Sequence, residues 1–490
     1  MTERPAGRPS ERRPRLLYLA FYFPPSRASG VYRPRATANR LVELGWDVTV
    51  FAAPLPFLYD TIGSVDDKLM DTVDPRVRLV RPSLNRFVWE TDLREYSGFR
   101  ARFPYLAQSL YTWGQEHVFP EHYASWARAS VRRALRMHAR RRFDVVLATG
   151  NPFASFGAAW LFHKLTRTPY IIDYRDSWTL DQFSEEPRFE DGHPAWRWES
   201  RVLGSAANSL FVNDAQRAWH AERHPHAADR MMTVLNGWDA DTLPSIAEPP
   251  PAARDAAGAA AGRHAPRFTY VGTVTDQQPI EQLVEGFSRA REHPDMVDAS
   301  LDFYGYFGFF KGSVKVLRNR FAAAVAGRGD AGGGGEAGGD GDAAEDDAVL
   351  APGVRYRGPV SKTDLAGVYR DSDVLVFLNG GGRYVTSGKI FEYMAAGRPI
   401  VSVHTPGSAA EELLRGYPLW FNPGGLDPAD IAVSMAAAAK AAAGLDGPQV
   451  AEAREYAGRF SRNVTLEPLI ARLTELAARR RGVAGRGGSR

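Results

Sequence analysis

The sequence alternates short apolar strands with helix-like segments, and it does so in two separate runs. The first run opens with the strand Leu16–Phe21, a loop that contains Gly30, a helix, and a second strand at Val48–Ala52. The second run opens with the strand FTYVGTV at 268–274 and a helix over Pro279–Arg291. This order of strand, glycine-containing turn and helix is typical of parallel α/β sheets. We therefore predict two Rossmann-like α/β domains.

The domain boundaries follow from length and from shifts in composition. A chain of 490 residues is too long for one ordinary core. A Pro/Ala-rich stretch separates the two runs, and a Gly/Ala/Asp tract that cannot bury a core interrupts the second. The predicted organisation is a disordered tail at 1–14, a first domain at 15–239, a linker at 240–265, a second domain at 266–450 with a low-complexity insertion at 327–347, C-terminal helices at 451–480 and a disordered tail at 481–490.

Composition excludes several classes of site and of location. The chain has no cysteine, which rules out disulfides, thiolate metal sites and cysteine nucleophiles. Its net charge is 61 − 57 = +4, which is small for a protein of this length that binds nucleic acid. No apolar run precedes Leu16, and polar residues interrupt the apolar stretch Phe143–Phe162. We therefore expect neither a signal peptide nor a membrane span, and we predict a cytoplasmic protein without a nucleic-acid partner.

The most informative motif is a helix that lies between a polar start and a glycine stop. It falls in YVTSGKIFEYMAAGRPIVSV, residues 384–403. Thr386 or Ser387 suits the N-cap, and Gly397 followed by proline suits the end. The pattern predicts a helix over Gly388–Ala396 that leads into a strand.

Two charged residues of this helix share one face. Lys389 and Glu392 are three positions apart. A helix N-terminus that carries a lysine can hold a diphosphate, and a carboxylate one turn later can accept hydrogen bonds from a ribose diol. The alternative is a surface salt bridge between Lys389 and Glu392. The spacing alone does not decide between these interpretations.

A second charged cluster closes the predicted strand at 170–173. Asp173, Arg175 and Asp176 stand at its carboxyl end, where open α/β sheets bind ligands. Asp176 could orient or deprotonate an acceptor hydroxyl, and Arg175 could bind a leaving phosphate. The alternative is a pair of charges that only fixes the loop.

Five segments resemble glycosyltransferase family 4, which has the GT-B fold. The second half contributes FTYVGTV (268–274), VRYRGPVSKTDLAGVYRDSDVLVFL (354–378) and SGKIFEYMAAGRPIVS (387–402). The first half contributes FYFPPSRASGVYRPRATANRLVELGWDVTVFA (21–52). The segment PYIIDYRDSW (169–178) resembles a branch of the family with an Arg-Asp-x-Trp signature. The resemblance covers about 16–235 and 266–480.

The resemblance implies two Rossmann-like domains that face each other across a cleft, with the acceptor on the first and the donor nucleotide on the second. It also implies that the last helices, 451–480, cross back to the first domain. Glu392 matches the family's ribose ligand and Lys389 a phosphate ligand that also serves catalysis. The remaining positions that match donor contacts are Gly30, Gly272, Thr273, Pro359, Val360, Ser387 and Gly388.

The chain departs from the family pattern at the places that usually carry charge. The family often has a second glutamate where Tyr384 stands, and Arg and Lys where Thr273 and Gln278 stand. Many members of the family have a histidine just after the strand at 170–173, where this chain has Arg175 followed by Asp176. The positive charge for a diphosphate must then come from other residues, and the candidates are Lys389, Arg383, Arg27 and Arg33.

Two sets of residues imitate metal sites. Asp371 and Asp373 form a D-x-D, which we interpret as the end of a helix and the start of a strand. His220, His224 and His226 have ligand-like spacing, but they straddle a proline, and we interpret them as solvated. The resemblance implies a reaction that needs no bound metal, and we predict no bound metal and no cofactor.

The segment 127–143 is a basic helix with a modest apolar stripe. Such a helix can lie on anionic lipid, and the alternative is an ordinary solvated helix that covers the sheet. A peripheral position on the inner face of the membrane is thus an open possibility. The stripe is Ala127, Val131, Ala134, Leu135 and His138, and the charge comes from Arg128, Arg132, Arg133, Arg136 and Arg140–Arg142.

The resemblance implies transfer of a sugar from a nucleoside-diphosphate sugar to a hydroxyl acceptor with retention of configuration. The acceptor is a glycan, a lipid-linked compound or a small molecule, and the aromatic-rich segment Leu55–Tyr123 suggests an apolar or sugar-stacking surface for it. Polysaccharide or glycoconjugate biosynthesis would use such a reaction. The alternatives are a sugar-nucleotide 2-epimerase of the same fold and a non-catalytic, membrane-associated relative.

Overall fold

The computed structural model describes residues 12–87, 96–243, 265–306 and 348–486. The chain divides into two compact units. The first comprises Met1–Asp181, Glu186–Leu235 and Leu466–Arg490, and the second comprises Gln182–Glu185 and Asn236–Thr465. The predicted insertion at 327–347 and most of the predicted linker lie outside the described residues.

The first unit contains a seven-stranded parallel sheet with strand order β3-β2-β1-β4-β5-β6-β7. Its inner strands are apolar and buried on both faces, which is how a parallel sheet covered by helices is built. The strands are β1 (Arg15–Leu19), β2 (Asp47–Phe51), β3 (Arg78–Val80), β4 (Val145–Gly150), β5 (Tyr170–Tyr174), β6 (Asn208–Phe211) and β7 (Met231–Thr233).

Helices cover both faces of this sheet. The longest of the helices between β1 and β7, Ala124–Arg140, is amphipathic and buries its apolar stripe in the core. The helices are α1 (Tyr32–Glu43), α2 (Lys68–Asp71), α3 (Gly98–Arg102), α4 (Pro104–His117), α5 (Ala124–Arg140), α6 (Ala154–Thr166), α7 (Pro194–Ser205) and α8 (Asp214–Arg223).

The second unit contains a seven-stranded sheet with strand order β10-β11-β9-β8-β12-β13-β14. Every pair is parallel except β10 and β11, which form an antiparallel edge. The strands are β8 (Arg267–Val271), β9 (Ser300–Tyr304), β10 (Ala348–Ala351), β11 (Val354–Tyr356), β12 (Val374–Leu378), β13 (Ile400–Val403) and β14 (Trp420–Phe421). The predicted fold class, α/β with two Rossmann-like sheets, is confirmed.

The helices of the second unit pack on its sheet, and the last helix of the chain belongs to the first unit. That last helix continues to Arg486, past the predicted start of the tail at residue 481. The helices are α9 (Ile280–Ala290), α10 (Leu365–Asp371), α11 (Lys389–Ala396), α12 (Ala409–Leu414), α13 (Pro428–Ala443), α14 (Gly447–Gly458), α15 (Arg462–Thr465) and α16 (Glu467–Arg486).

Candidate functional site

In the second unit, an ammonium group lies directly against a glycine backbone. Lys389 begins α11, and its Nζ donates a hydrogen bond of 3.1 Å to the Tyr270 hydroxyl. Gly272 follows β8 with φ of +140°, and a Cβ atom there would lie 1.7 Å from Lys389 Nζ. Only glycine therefore leaves room for this cation at the carboxyl end of β8. The structure brings together two residues, Gly272 and Lys389, that the sequence predicted to bind one diphosphate.

The Tyr270 hydroxyl ties the lysine to the loop after β8. It donates to the Thr273 carbonyl at 2.9 Å and accepts from Gln278 Nε2 at 3.1 Å as well as from Lys389. Gln278 also donates to the Leu378 carbonyl at 3.3 Å and accepts from the Thr275 amide at 3.0 Å. Gln278 therefore orders the loop and supplies no charge.

The start of α11 differs from the predicted one. The N-cap is Gly388, which has helical dihedral angles and itself makes no side-chain capping hydrogen bond. The predicted N-cap at Thr386 or Ser387 is therefore wrong. Gly397 ends the helix in the left-handed region with φ of +67°, as expected. An uncapped N-terminus leaves backbone N–H groups and positive potential available to an anion, beside the Lys389 ammonium.

Glu392 is buried, with 7% of its surface exposed. One carboxylate oxygen accepts a hydrogen bond from Lys362 Nζ, and the other accepts one of 2.8 Å from the Tyr369 hydroxyl. Burial lowers the pKa of Lys362, and the charge of Glu392 opposes that shift. The alternative pairing of Lys389 with Glu392 is wrong, because Lys362 is the partner.

The other predicted donor positions of the second unit lie on loops at the same edge of its sheet. Val360 is half-buried and follows β11, and Ser387 and Gly388 are half-buried before α11. Arg383 is directed elsewhere, since its Nε lies 3.2 Å from the Glu185 carboxylate, also in the second unit. The donor contacts of these residues stay predictions.

The first unit repeats the close approach of a cation to a glycine. The Arg175 guanidinium follows β5 and donates to the Thr149 hydroxyl at 2.9 Å. A Cβ atom on Gly30 would lie 1.6 Å from Arg175 Nη1. Asp176 is exposed, and within the described ranges no hydrogen bond or ion pair engages its carboxylate. Arg175 is thus held in place, while Asp176 is free to contact a ligand.

Arg33, by contrast, has a structural role. Its Nε and Nη2 each donate to the Asp173 carboxylate at 2.9 Å, and its Nη1 donates to the Val234 carbonyl at 2.8 Å. Arg33 is 1% exposed and Asp173 is fully buried. The prediction that Arg33 faces a diphosphate is wrong, because burial and a bidentate partner engage its whole guanidinium.

A buried carboxylate supports the loop that carries Arg175 and Asp176. Glu199 on α7 accepts hydrogen bonds from the Tyr174 hydroxyl at 3.1 Å and from Thr179, and it faces the imidazoles of His220 and His224. Burial alone would raise the pKa of Glu199, but the two imidazoles outweigh it and lower the pKa to about 2.

The interpretation of the three histidines as solvated is wrong for two of them. His220 is fully buried and His224 is 4% exposed, and both contact Glu199. His226 points instead to the Ser200 carbonyl. The D-x-D motif is also structural, because the Asp373 carboxylate accepts the Arg267 amide hydrogen at 2.8 Å. Among the described residues, no group of three or more His, Asp and Glu side chains could hold a metal ion.

The basic helix of the sequence analysis is α5, and its apolar stripe faces the protein core. Trp126, Val131, Ala134 and Met137 are buried there. The stripe is therefore unavailable to insert into lipid, and only the arginine-rich face is open to solvent.

A different helix exposes apolar side chains. Helices α3 and α4 lie between β3 and α5 in the chain. In α4, only Ala107 is buried. The exposed aromatic and aliphatic residues are Phe99, Phe103, Tyr105, Leu106, Leu110 and Trp113, which are between 47% and 75% exposed.

Two family models match the chain in succession. The Glycosyl transferase 4-like domain matches residues 30–237, and the domain Glycosyl transferases group 1 matches residues 265–440. The chain is a GT-B glycosyltransferase. Gly30 opens the first matched domain, while Gly272 and Lys389 lie in the second. No curated protein sequence matches the transferase.

Solved structures share the fold of the transferase at low sequence identity. A glycosyltransferase from Rickettsia africae is 12% identical with a TM-score of 0.61, covering 95% of this chain and 98% of that one. Sucrose-phosphate synthase from Thermosynechococcus elongatus is 14% identical with a TM-score of 0.59, covering 95% and 100%. Anabaena HepE in complex with UDP-glucose is 13% identical with a TM-score of 0.57, covering 94% and 99%.

Within the described ranges, no helix of the transferase has the length and apolar character needed to cross a membrane.

The buried Glu199 predicts a pH-dependent stability. Its pKa in the folded state is below the ordinary 4.5, so its contribution is complete above pH 4.5 and is lost as the pH falls toward about 2. Glu199→Gln should lower the free energy of unfolding by roughly 3 kcal/mol at pH 7, because the imidazoles and hydroxyls around it lose their buried partner. Denaturant unfolding at several pH values measures the difference.

The exposed Glu452→Gln is the matched control and should change the free energy of unfolding by less than about 0.5 kcal/mol. A loss that is equally large for Glu199→Gln at pH 7 and at pH 3 would contradict the electrostatic account.

Proposed function

We propose that the enzyme transfers a glycosyl group from a nucleoside-diphosphate sugar to a hydroxyl acceptor, and that its second unit binds the donor. The observation that carries this proposal is the Lys389 ammonium, which lies against Gly272 at the uncapped N-terminus of α11. A diphosphate is a ligand that matches both the fixed charge and the free N–H groups. The shared fold with Anabaena HepE, solved with UDP-glucose, supports the same donor class.

Each donor group has a proposed partner in the second unit. The diphosphate would contact Lys389 and the backbone at Gly272, Thr273, Ser387 and Gly388. The base would lie at Val360. The ribose diol would donate to Glu392, whose two oxygens each accept one hydrogen bond in the structure and retain further lone pairs.

The chemistry breaks the bond between the anomeric carbon and the diphosphate oxygen, and forms a bond from that carbon to the acceptor hydroxyl oxygen. The hydroxyl proton is released, and negative charge grows on the departing diphosphate. Lys389 stabilises that charge more in the transition state than in the bound substrate, which is the requirement for rate acceleration. We propose retention of configuration, so that the acceptor oxygen arrives on the face that the diphosphate leaves.

In the first unit, we propose that Asp176 orients the acceptor hydroxyl. Its carboxylate is exposed, and the neighbouring Arg175 is fixed by Thr149. Gly30 is required because a side chain there would displace the Arg175 guanidinium. Arg175 would then supply positive charge to an anionic group of a ligand at the carboxyl edge of the first sheet.

We propose that the acceptor carries an apolar part or a sugar ring that packs on α4. Leu106, Leu110 and Trp113 recur at helical spacing and are each more than half exposed. A monomeric protein gains nothing from such a contiguous apolar face unless a ligand or partner covers it.

We propose that transfer needs no divalent metal, because the charge that the diphosphate requires would come from Lys389 and the α11 N-terminus. Activity in excess EDTA should equal activity in its absence. Loss in EDTA that Mn²⁺ or Mg²⁺ restores would contradict this part of the proposal.

The Lys389→Ala variant should lose both donor affinity and kcat, because it removes charge that faces the growing charge of the leaving group. We expect a decrease in kcat of at least about a hundredfold, in the range found when one such donor is removed. Lys440→Ala, an exposed lysine on α13, is the control and should retain parental kinetics. Steady-state kinetics with a panel of nucleoside-diphosphate sugars measures both, and parental kcat in Lys389→Ala would contradict the proposal.

Two variants separate the proposed ribose contact of Glu392 from its structural role. Glu392→Gln should weaken donor binding about tenfold and destabilise the fold by roughly 3 kcal/mol, because Lys362 loses its buried partner. Tyr369→Phe removes one hydrogen bond to the same carboxylate. It should lower the free energy of unfolding by about 1 kcal/mol and leave the affinity for the sugar-nucleotide donor unchanged. Calorimetric donor titration and denaturant unfolding give the two quantities, and parental donor affinity in Glu392→Gln would remove Glu392 from the site.

A further inference from the structure

A pocket rich in arginine lies at the amino-terminal ends of the first three strands. Arg15, Asp47 and Arg78 are the first residues of β1, β2 and β3, and all three line it. Helix α5 and the residue that follows it form the rest of the wall, with Arg133, Arg136, Met137, Arg140 and Arg141.

This pocket is separate from the proposed reaction site of the first unit. Gly30 follows β1, and Arg175 and Asp176 follow β5, at the carboxyl edge of the same parallel sheet. The five residues of β1 alone separate the two edges by roughly 15 Å. The proposed transfer reaction therefore gives the pocket no role.

The pocket has a large excess of positive charge. Six arginines and one acidic residue line it, which leaves 6 − 1 = 5 positive charges. Asp47 accepts hydrogen bonds from Arg15 at 2.9 Å and from Arg141 at 2.6 Å, so its single charge is already shared. The side chains of the other four arginines are exposed and make no hydrogen bond or ion pair with any described residue; they are Arg78, Arg133, Arg136 and Arg140.

The floor of the pocket is fixed. Arg15 is 4% exposed, and its guanidinium lies 4.7 Å from the centre of the Phe143 ring. Helix α5 is held against the sheet by Trp126, Val131 and Ala134, so the backbone positions of the arginines on its outer side are fixed. The pocket is thus a concavity lined by several arginines.

A structural role for the charge accounts for only part of it. The C-terminus of α5 carries a dipole charge of about −0.5, which a single arginine is enough to offset. Arginines brought together beyond that number repel one another unless an anion lies between them. The planar guanidinium donates paired N–H groups in the geometry that phosphate oxygens accept.

We propose that this pocket binds a phosphate-bearing anion, either a dissolved phosphorylated compound or the headgroup of an anionic lipid. The proposal concerns the first unit alone and does not depend on the reaction proposed above. The apolar stripe of α5 is buried, so lipid binding here would use the headgroup and not insertion of the helix.

The test compares two double variants on the same helix with the same change in charge. Arg133→Gln with Arg136→Gln removes two guanidinium groups of the pocket. Arg128→Gln with Arg132→Gln removes two exposed ones outside it. Both pairs of substitutions are made in the Lys389→Ala variant. Pyrophosphate that binds at the proposed donor site then does not mask its binding at the pocket.

Calorimetric titration with inorganic pyrophosphate at constant ionic strength tests the dissolved source. Flotation with phosphatidylcholine vesicles, with and without phosphatidic acid, tests the lipid source. We expect the pocket variant to bind at least one probe about tenfold more weakly than its parent, while the control pair stays within about twofold. Loss of pyrophosphate binding alone supports a dissolved ligand, and loss of vesicle binding alone supports a headgroup.

An equal loss of probe binding in both pairs would show that binding depends only on general surface charge. Unchanged binding in the pocket variant would show that the pocket arginines hold no anion. Either result would overturn the proposal. Because all four substituted arginines are exposed, the melting temperature should stay at the parental value in both pairs.

Discussion

The account depends on one steric fact, the absence of a Cβ atom at a glycine beside a cation. In the second unit, Gly272 lets the Lys389 ammonium lie against the backbone at the end of β8. In the first unit, Gly30 does the same for Arg175 beside β5. A parallel sheet brings its strand ends, and the loops that follow them, to one edge. The glycines let fixed positive charge approach the backbone at that edge.

Burial divides the charged residues of the two units into structural and available ones. Arg33 with Asp173, and Glu199 with its imidazoles, are buried and fully engaged, so they hold α1, α7 and α8 to the sheet. Lys389 and Arg175 are only half-buried, and Asp176 is exposed. The structural pairs fix the loops, and the half-buried cations on those loops remain able to meet a ligand.

The sequence was enough to predict the two α/β units, because strand order and glycine turns are local signals, and the family resemblance of the motif at 387–402 and of the β8 segment implied Lys389 and Gly272 as donor contacts. The partners of the buried charges were not predictable in this way. Glu392 pairs with Lys362 at a separation of 30 residues, and Arg33 pairs with Asp173 at a separation of 140. No spacing rule encodes such contacts, since they arise only when the strands and helices pack.

The helix cap and the histidines also show that local sequence does not determine what a residue contacts. Thr386 and Ser387 are suitable cap residues, but the chain enters α11 through Gly388 and leaves the N-terminus uncapped. His220 and His224 looked solvated because a proline interrupts their run, yet α8 turns both toward Glu199. In each case the packing of neighbouring elements decided what a locally plausible residue does.

The central claim is that the absence of a side chain at Gly272 lets the Lys389 ammonium lie where a diphosphate binds. The most direct measurement is the affinity for a nucleoside diphosphate relative to the matching nucleoside, in Gly272→Ala and in Gly424→Ala, where φ is +78° and a Cβ would meet nothing within 4 Å. The account predicts that the preference for the diphosphate falls at least about tenfold in Gly272→Ala only, because the added methyl group displaces the ammonium. An undiminished preference in Gly272→Ala would contradict it.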